Sequence, residues 1–153
     1  MKVKEIMTSP VQYCAPENSL ADVALMMWNS DCGALPVVNH EGEVMDMITD
    51  RDICMAAATK NRRLMDISVW ETSSDKVYMC SPEDYVLHAL KLMEQHKVRR
   101  LPVVNAAGVL EGVISLKDVI LSVLEEEDQE DNRSFLRRRH QESPGNRSPS
   151  GSG

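Results

Sequence analysis

At 153 residues the chain suits one compact domain or two small units sharing a core. Its 17 Lys and Arg against 24 Asp and Glu give a net charge of -7, which argues against non-specific nucleic-acid or anionic-membrane binding and makes any basic cleft a local exception. No apolar run approaches the roughly 18 residues that span a bilayer, and the charged start Met1-Lys2-Val3-Lys4-Glu5 leads into no secretory segment, so a cytoplasmic protein is expected.

In chain order, a short strand is expected at Val11-Gln12. A helix follows, with Leu20, Val23, Ala24 and Met27 spaced i, i+3, i+4, i+7 on one apolar face. Next come the apolar run Leu35–Val38, a glycine-bearing turn (Asn39-His40-Glu41-Gly42), a second run Val44–Ile48, and a helix opening at Thr49 with Ile53 on its inner side. The polar stretch 63–76 reads as a linker. The order then recurs: Val77-Tyr78, a helix face of Val86, Ala89, Leu90 and Met93, the run Leu101–Val104, a turn ending at Gly108, the run Leu110–Ile114, and a helix opening at Ser115.

LPVVN stands at both Leu35–Asn39 and Leu101–Asn105, 66 residues apart. The same offset pairs Val11 with Val77, Cys14 with Cys80, Met27 with Met93, Gly42 with Gly108, Ile48 with Ile114 and Asp52 with Asp118, without a gap. The prediction is therefore an α/β protein of two repeats, 1–62 and 77–125, each strand-helix-strand-strand-helix. Neither covers its own apolar face, so the two should pack about a pseudo-twofold axis. Residues 126–153, acidic, then basic at Arg137-Arg138-Arg139, then rich in Ser, Pro and Gly, read as a disordered tail. The basic triplet is either a docking site or a solvated partner of the acidic run.

Two tetrads carry the chemistry, Thr49-Asp50-Arg51-Asp52 and Ser115-Leu116-Lys117-Asp118. Ser or Thr followed three residues later by an acid is a helix-capping signature, a device also expected at Ser19–Asp22 and Ser81–Asp84. The added Arg51 or Lys117, beside the free amides of a helix start, equally suits a phosphate. Arg99-Arg100 is likewise either a phosphate contact or a solvated pair on a strand edge. His88 and His96 lie two helical turns apart and cannot share a metal directly. The four cysteines have no C-x-x-C spacing and read as buried thiols. No nucleophile, base and orienting acid assemble, so no enzymatic activity is expected.

The opening Ile6-Met7-Thr8-Ser9-Pro10, the doubled LPVV strand and the doubled Ile-Thr/Ser-x-x-Asp resemble the cystathionine-β-synthase (CBS) domain pair over residues 1 to about 125. The resemblance implies a regulatory or sensor module, commonly a homodimer, with no required cofactor. Its clefts would take an adenosine-containing ligand such as AMP, ADP, ATP or S-adenosylmethionine, and an unidentified protein partner would respond. It assigns phosphate and ribose contacts to Thr49, Asp52, Ser115 and Asp118, with Arg51 and Lys117 beside them. Base and phosphate would be enclosed by Val11-Gln12, Val77-Tyr78, Gly33-Ala34 and Val98-Arg99-Arg100, and Thr8 of the opening motif joins the set. One departure is Asp46, where the second repeat keeps the usual glycine as Gly112; it disfavours the first cleft. Grouping Arg99, Arg100 and Lys117 with Ser115 and Asp118, completed by Val11, Gln12 and Ala34, the expectation is that this second cleft binds first and prefers di- or triphosphates. The competing readings are a ligand-free interaction module whose tetrads only cap helices, and a thiol sensor using Cys14 and Cys80.

Overall fold

Apolar periodicity becomes a helix wherever the chain can also close its ends. In the computed structural model, which describes residues 1–74 and 76–142, helix α1 (Leu20–Ser30) is capped by Ser19, whose Oγ accepts the Asp22 N–H at 3.1 Å. It buries Leu20, Val23 and Met27 and ends at Asp31 in the left-handed conformation. Helix α3 (Val86–His96) buries Ala89 and Met93 and ends at Lys97 in that conformation too. Its start departs from expectation. Ser81 and Asp84 close a turn ahead of the helix, Ser81 N–H donating to the Asp84 carboxylate at 2.8 Å, and the cap position falls to Tyr85, which makes no side-chain cap. The position matching Ser19 is Tyr85; Ser81–Asp84 matches Ala15–Asn18, a turn in which Ala15 N–H donates to Asn18 Oδ1 at 2.7 Å.

Each helix is followed by an antiparallel hairpin, β1 (Ala34–Val38) with β2 (Val44–Thr49) and β3 (Arg100–Val104) with β4 (Leu110–Ser115). Both ladders shift register at the same place, between Val37 and Val38 and between Val103 and Val104. The turn glycines are required, since Gly42 and Gly108 sit at φ 82° and 80°. The strand expected before each helix shrinks to one parallel bridge, Cys14 to Val37 and Cys80 to Val103. Pro10 and Pro16 in one repeat and Pro82 in the other supply no N–H with which to extend a ladder.

The two hairpins meet at their tips. Val44 N–H donates to Gly108 O at 3.1 Å and Leu110 N–H to Gly42 O at 3.2 Å. The two bonds exchange under the 66-residue offset, as a twofold relation requires. Two cores result, one around Leu20, Val23, Leu35, Ile48 and Ile53, the other around Ala89, Met93, Leu101, Ile114 and Val119.

Within the expected linker, residues 63–74 are not free, and residues 1–9 do not belong with the rest of the first repeat. Ile67 and Val69, fully buried, complete the first core, while Val3, equally buried, completes the second. Backbone bonds fix both segments in matching ways: Leu20 N–H to Ile67 O and Val69 N–H to Asn18 O, against Val86 N–H to Met1 O and Val3 N–H to Asp84 O. Burying each such side chain stabilises by about 1.5–3 kcal/mol, so apolar burial outweighs the polar flanks that suggested a linker. Lys2 and Lys4 add ion pairs to Glu83 at 2.8 Å each.

The chain divides into two compact units after Val119. The expectation of disorder from residue 126 is corrected for the described part of the tail, because α4 runs from Leu116 to Gln141. That span holds no Gly or Pro and is rich in Glu, Gln, Leu and Arg. Its acidic run precedes Arg138, Arg139 and His140 in the last turn, which complements the helix dipole. Arg139 also lies over the Phe135 ring at 5.7 Å. The Ser/Pro/Gly end, 143–153, lies outside the described residues. No described helix is long and apolar enough to cross a membrane.

Candidate functional site

Thr49 ends β2 and caps α2 (Asp50–Thr59). Its Oγ1 accepts the Asp52 N–H at 3.2 Å, and its own N–H donates to Asp52 Oδ2 at 2.8 Å. Ser115 and Asp118 form the same closed box at 3.0 and 3.1 Å. The capping role of both tetrads is thus realised, using Oδ2 of each carboxylate. One further amide at each helix start is taken by the residue two before the LPVV strand, Asp50 N–H by Gly33 O at 2.9 Å and Leu116 N–H by Arg99 O at 2.8 Å.

In front of the α2 start lies a cavity of about 600 Å³, in the range of small-molecule sites. The first repeat lines it with Ala34, Asp46, Met47, Thr49, Asp50 and Arg51; the opposite wall is Ser74, Lys76, Val77, Tyr78, Lys97, Val98, Arg99 and Arg100. Arg51, Lys76, Lys97, Arg99 and Arg100 thus face two carboxylates, Asp46 and Asp50. This is the local basic exception in an acidic chain. Two apolar side chains, Val77 and Val98, and the half-buried Tyr78 form the rest of the second-repeat wall.

The grouping expected from the sequence is therefore corrected. Arg99 lines the cavity with Thr49 and Arg51, not with Lys117, because the first repeat's helix start faces the second repeat's β3 start. Arg100 is shared: it pairs with Ser115 across the ladder and still lines the Thr49 cavity. Asp52 and Asp118 act as caps and are not in this lining; Ser115 and Lys117 stand at the α4 start. Thr8 pairs with Val113 by two backbone bonds of 2.9 and 3.1 Å. Val11 lines a separate cavity of about 330 Å³ beside Tyr13, His40 and Glu111. Gly33 borders a groove of about 420 Å³ with Trp28, Cys32 and Ile53. Gln12 accepts a hydrogen bond from Ser30 Oγ at 2.7 Å.

Lys76, Lys97, Met47 and Ser74 were not anticipated. The first two flank Val77-Tyr78 and Val98-Arg99-Arg100 by one residue, so extending each motif by one position was the available signal. Asp46 also differs from expectation. It is buried, and its carboxylate accepts Ser73 Oγ–H at 3.0 Å, Ser74 N–H at 2.9 Å and Met47 N–H at 2.8 Å. At the matching Gly112 the chain is fixed through backbone instead. A Cβ there would meet Thr8 O at 2.7 Å and Met7 Sδ at 2.9 Å. Thr8 and Ser74 are themselves related by the offset, so Asp46 fastens the segment that Gly112 admits by having no side chain.

The expectation of four buried thiols holds for Cys14 and Cys80 only, Cys32 and Cys54 being exposed, and the two core thiols offer little reactivity. Burial pushes Cys14 up to about 11 and Cys80 up to about 12, keeping both protonated near neutrality. Among the described residues no group of three or more His, Cys, Asp or Glu could hold a metal ion.

Comparison with known proteins places this geometry. The CBS domain model matches residues 3–59 and 67–125, ranges that begin in the two crossing segments. The Bacillus subtilis CBS domain-containing protein YhcV is 31% identical over 125 residues, covering 82% of this chain and 87% of that one. The uncharacterized protein YlbB of the same organism is 32% identical over 123 residues, 79% and 81% of the two chains. The crystal structure of the CBS domain pair of protein MJ0100, in complex with 5'-methylthioadenosine and S-adenosyl-L-methionine, superposes with a TM-score of 0.73 at 22% identity, covering 82% of this chain and 98% of that one. With both repeats matched in phase, the chain belongs to the CBS domain family, as a pair of CBS repeats.

Proposed function

We propose that the 600 Å³ cavity binds an adenosine-containing ligand and that the pair serves as a regulatory sensor rather than an enzyme. The observation that carries this is the lining itself: five cations gathered at a helix start, beside an apolar wall of Val77, Val98 and Tyr78. Cations and a helix N-terminus suit phosphates, and the apolar wall suits a purine. In this reading Arg51, Arg99 and the Thr49 hydroxyl meet phosphate, and Asp52, bonded to Thr49 through the capping box, holds that residue in place behind the cavity wall. The charge excess favours ATP or ADP over AMP, adenosine or S-adenosylmethionine. A relative of the same fold was solved with two adenosine compounds, which supports the ligand class. A ligand bridging both repeats shifts the population toward the arrangement it binds better.

The module is further proposed to be cytoplasmic and to act as a homodimer that a protein partner reads. Leu25, Trp28 and Leu87 are 61%, 83% and 60% exposed on α1 and α3, an apolar excess that a second copy would cover. A second reading rests on the fully closed capping boxes, which would suffice for a ligand-free interaction module. A thermal-shift series over ATP, ADP, AMP, adenosine and S-adenosylmethionine separates the two. Ligand at about 100 times its dissociation constant adds roughly 2.7 kcal/mol and raises the melting temperature by several degrees, most at the lowest concentration for ATP. No shift with any of the five compounds would leave the capping reading.

A further inference from the structure

The wall assigned to the base holds one aromatic ring, and that ring is not held by the cavity. Tyr78 lies flat against the His96 imidazole, with centroids 3.6 Å apart and planes 11° from parallel. His96 does not line the cavity. It is the last residue of α3, immediately before the left-handed Lys97, so the helix end sets its position. Tyr78 also packs against the second core. The ring is thereby fixed on two sides before any ligand arrives.

The first repeat shows that this contact is placed by the fold while its chemistry is chosen by the residues. Sixty-six positions earlier stand Gln12 and Ser30, and they also touch, through the 2.7 Å hydrogen bond from Ser30 Oγ to Gln12 Oε1. The same two positions meet in both repeats, but one pair is polar and the other is a stack of two rings.

We propose that His96 is a positioning residue that fixes the Tyr78 ring as the base-selecting contact of the cavity, resting on the adenosine-ligand reading above. A tyrosine without its stacking partner gains rotamer freedom, which binding must then remove. The base end of a ligand feels that loss; the phosphate end, gripped by Arg51 and Arg99, does not.

The test is calorimetric titration of ATP and of inorganic triphosphate, both in magnesium-free buffer, into the full-length wild type, His96→Ser, which copies the first repeat, and His96→Phe, which restores a flat ring. Aromatic pairing of this kind predicts about a two- to tenfold loss of ATP affinity for His96→Ser, unchanged triphosphate affinity, and ATP affinity near wild type for His96→Phe. Wild-type ATP affinity in His96→Ser overturns the inference while the ligand reading stands. So does a His96→Phe as weak as His96→Ser, or an equal loss of ATP and triphosphate. A wild type that binds neither compound overturns the ligand reading, and this inference with it.

Discussion

The two repeats share a backbone plan and differ in what they place on it, most plainly around the helix starts at Thr49 and Ser115. The cavity at Thr49 is lined by Arg51, Lys76, Lys97, Arg99 and Arg100. The 66-residue offset carries these positions to Lys117, Pro10, Asp31, Gly33 and Ala34, so four of the five cations have no cationic counterpart at the Ser115 side. The capping boxes, the helix ends at Asp31 and Lys97, and the reciprocal bonds of the hairpin tips are alike in both. The parts that hold the backbone are the same in both repeats, while the charge is concentrated on one side. A helix start with Thr or Ser and Asp is thus a frame common to both repeats, and four of the five cations at the Thr49 cavity come from beyond the first repeat.

The largest effect should come from separating the charges. Each charge-assisted contact to phosphate contributes about 1.5–3 kcal/mol, so Arg99→Ala is expected to weaken ATP roughly tenfold or more by calorimetry, and adenosine hardly at all. Lys117→Ala should change neither. If Lys117→Ala weakened ATP as much as Arg99→Ala, the contrast between the clefts would be gone.

Next in size is the exchange of the fastening residues. Asp46→Gly removes a buried acceptor of three hydrogen bonds under 3.1 Å and should cost about 1–3 kcal/mol, read as a melting temperature lower by several degrees. Gly112→Asp should cost at least as much, since its Cβ meets the Thr8 carbonyl at 2.7 Å, and should release residues 1–9 to proteolysis. Wild-type melting of Gly112→Asp would show that the N-terminal segment does not lie over it.

The caps should matter less and more evenly. Asp52→Ala and Asp118→Ala are each expected to cost about 1 kcal/mol. Only Asp52→Ala should also reduce ATP affinity; equal, unaltered affinities would make both residues caps and nothing more.

The smallest effect is a pH dependence that is larger in the second repeat than in the first. Hydrogen bonds from Lys2 and Lys4 hold Glu83 down to about 2, below its ordinary 4.5, whereas the positions matching the two lysines are Ser68 and Trp70. A depressed carboxyl stabilises above its unfolded value and loses that contribution as pH falls from about 4.5 toward 2. Amide exchange at Val3 and Lys4 should therefore quicken over that window, and more than at Ile67 and Val69, where the Arg62 guanidinium and the Ser68 N–H lower only Glu71. Glu83→Gln should remove the difference.

Much of this was legible from the repeat alone. The offset, the i, i+3, i+4, i+7 faces of α1 and α3, the glycine turns and the Thr49 and Ser115 caps are local patterns, and local patterns survive into structure. What was hidden depends on which piece packs against which. Ile67 and Val69 sit amid polar neighbours, and nothing in their spacing says that they enter the first core while Val3 enters the second. Which tetrad Arg99 faces is hidden in the same way, because it depends on how the α2 start meets the β3 start and not on its sequence neighbours. The Tyr78–His96 stack joins residues 18 apart in sequence, which no single periodicity relates. The long α4 was hidden for another reason: low apolar content signalled disorder, while helix propensity and charge order favoured a helix.

The most direct measurement is the position of the ligand in a crystal structure of the protein grown with ATP. The expected result is a nucleotide in the cavity at Thr49, with phosphate oxygens within hydrogen-bond reach of Arg51 and Arg99 and the base against Val77 and Tyr78. A nucleotide bound instead at Ser115 and Lys117, with the Thr49 cavity holding only solvent, would contradict the account.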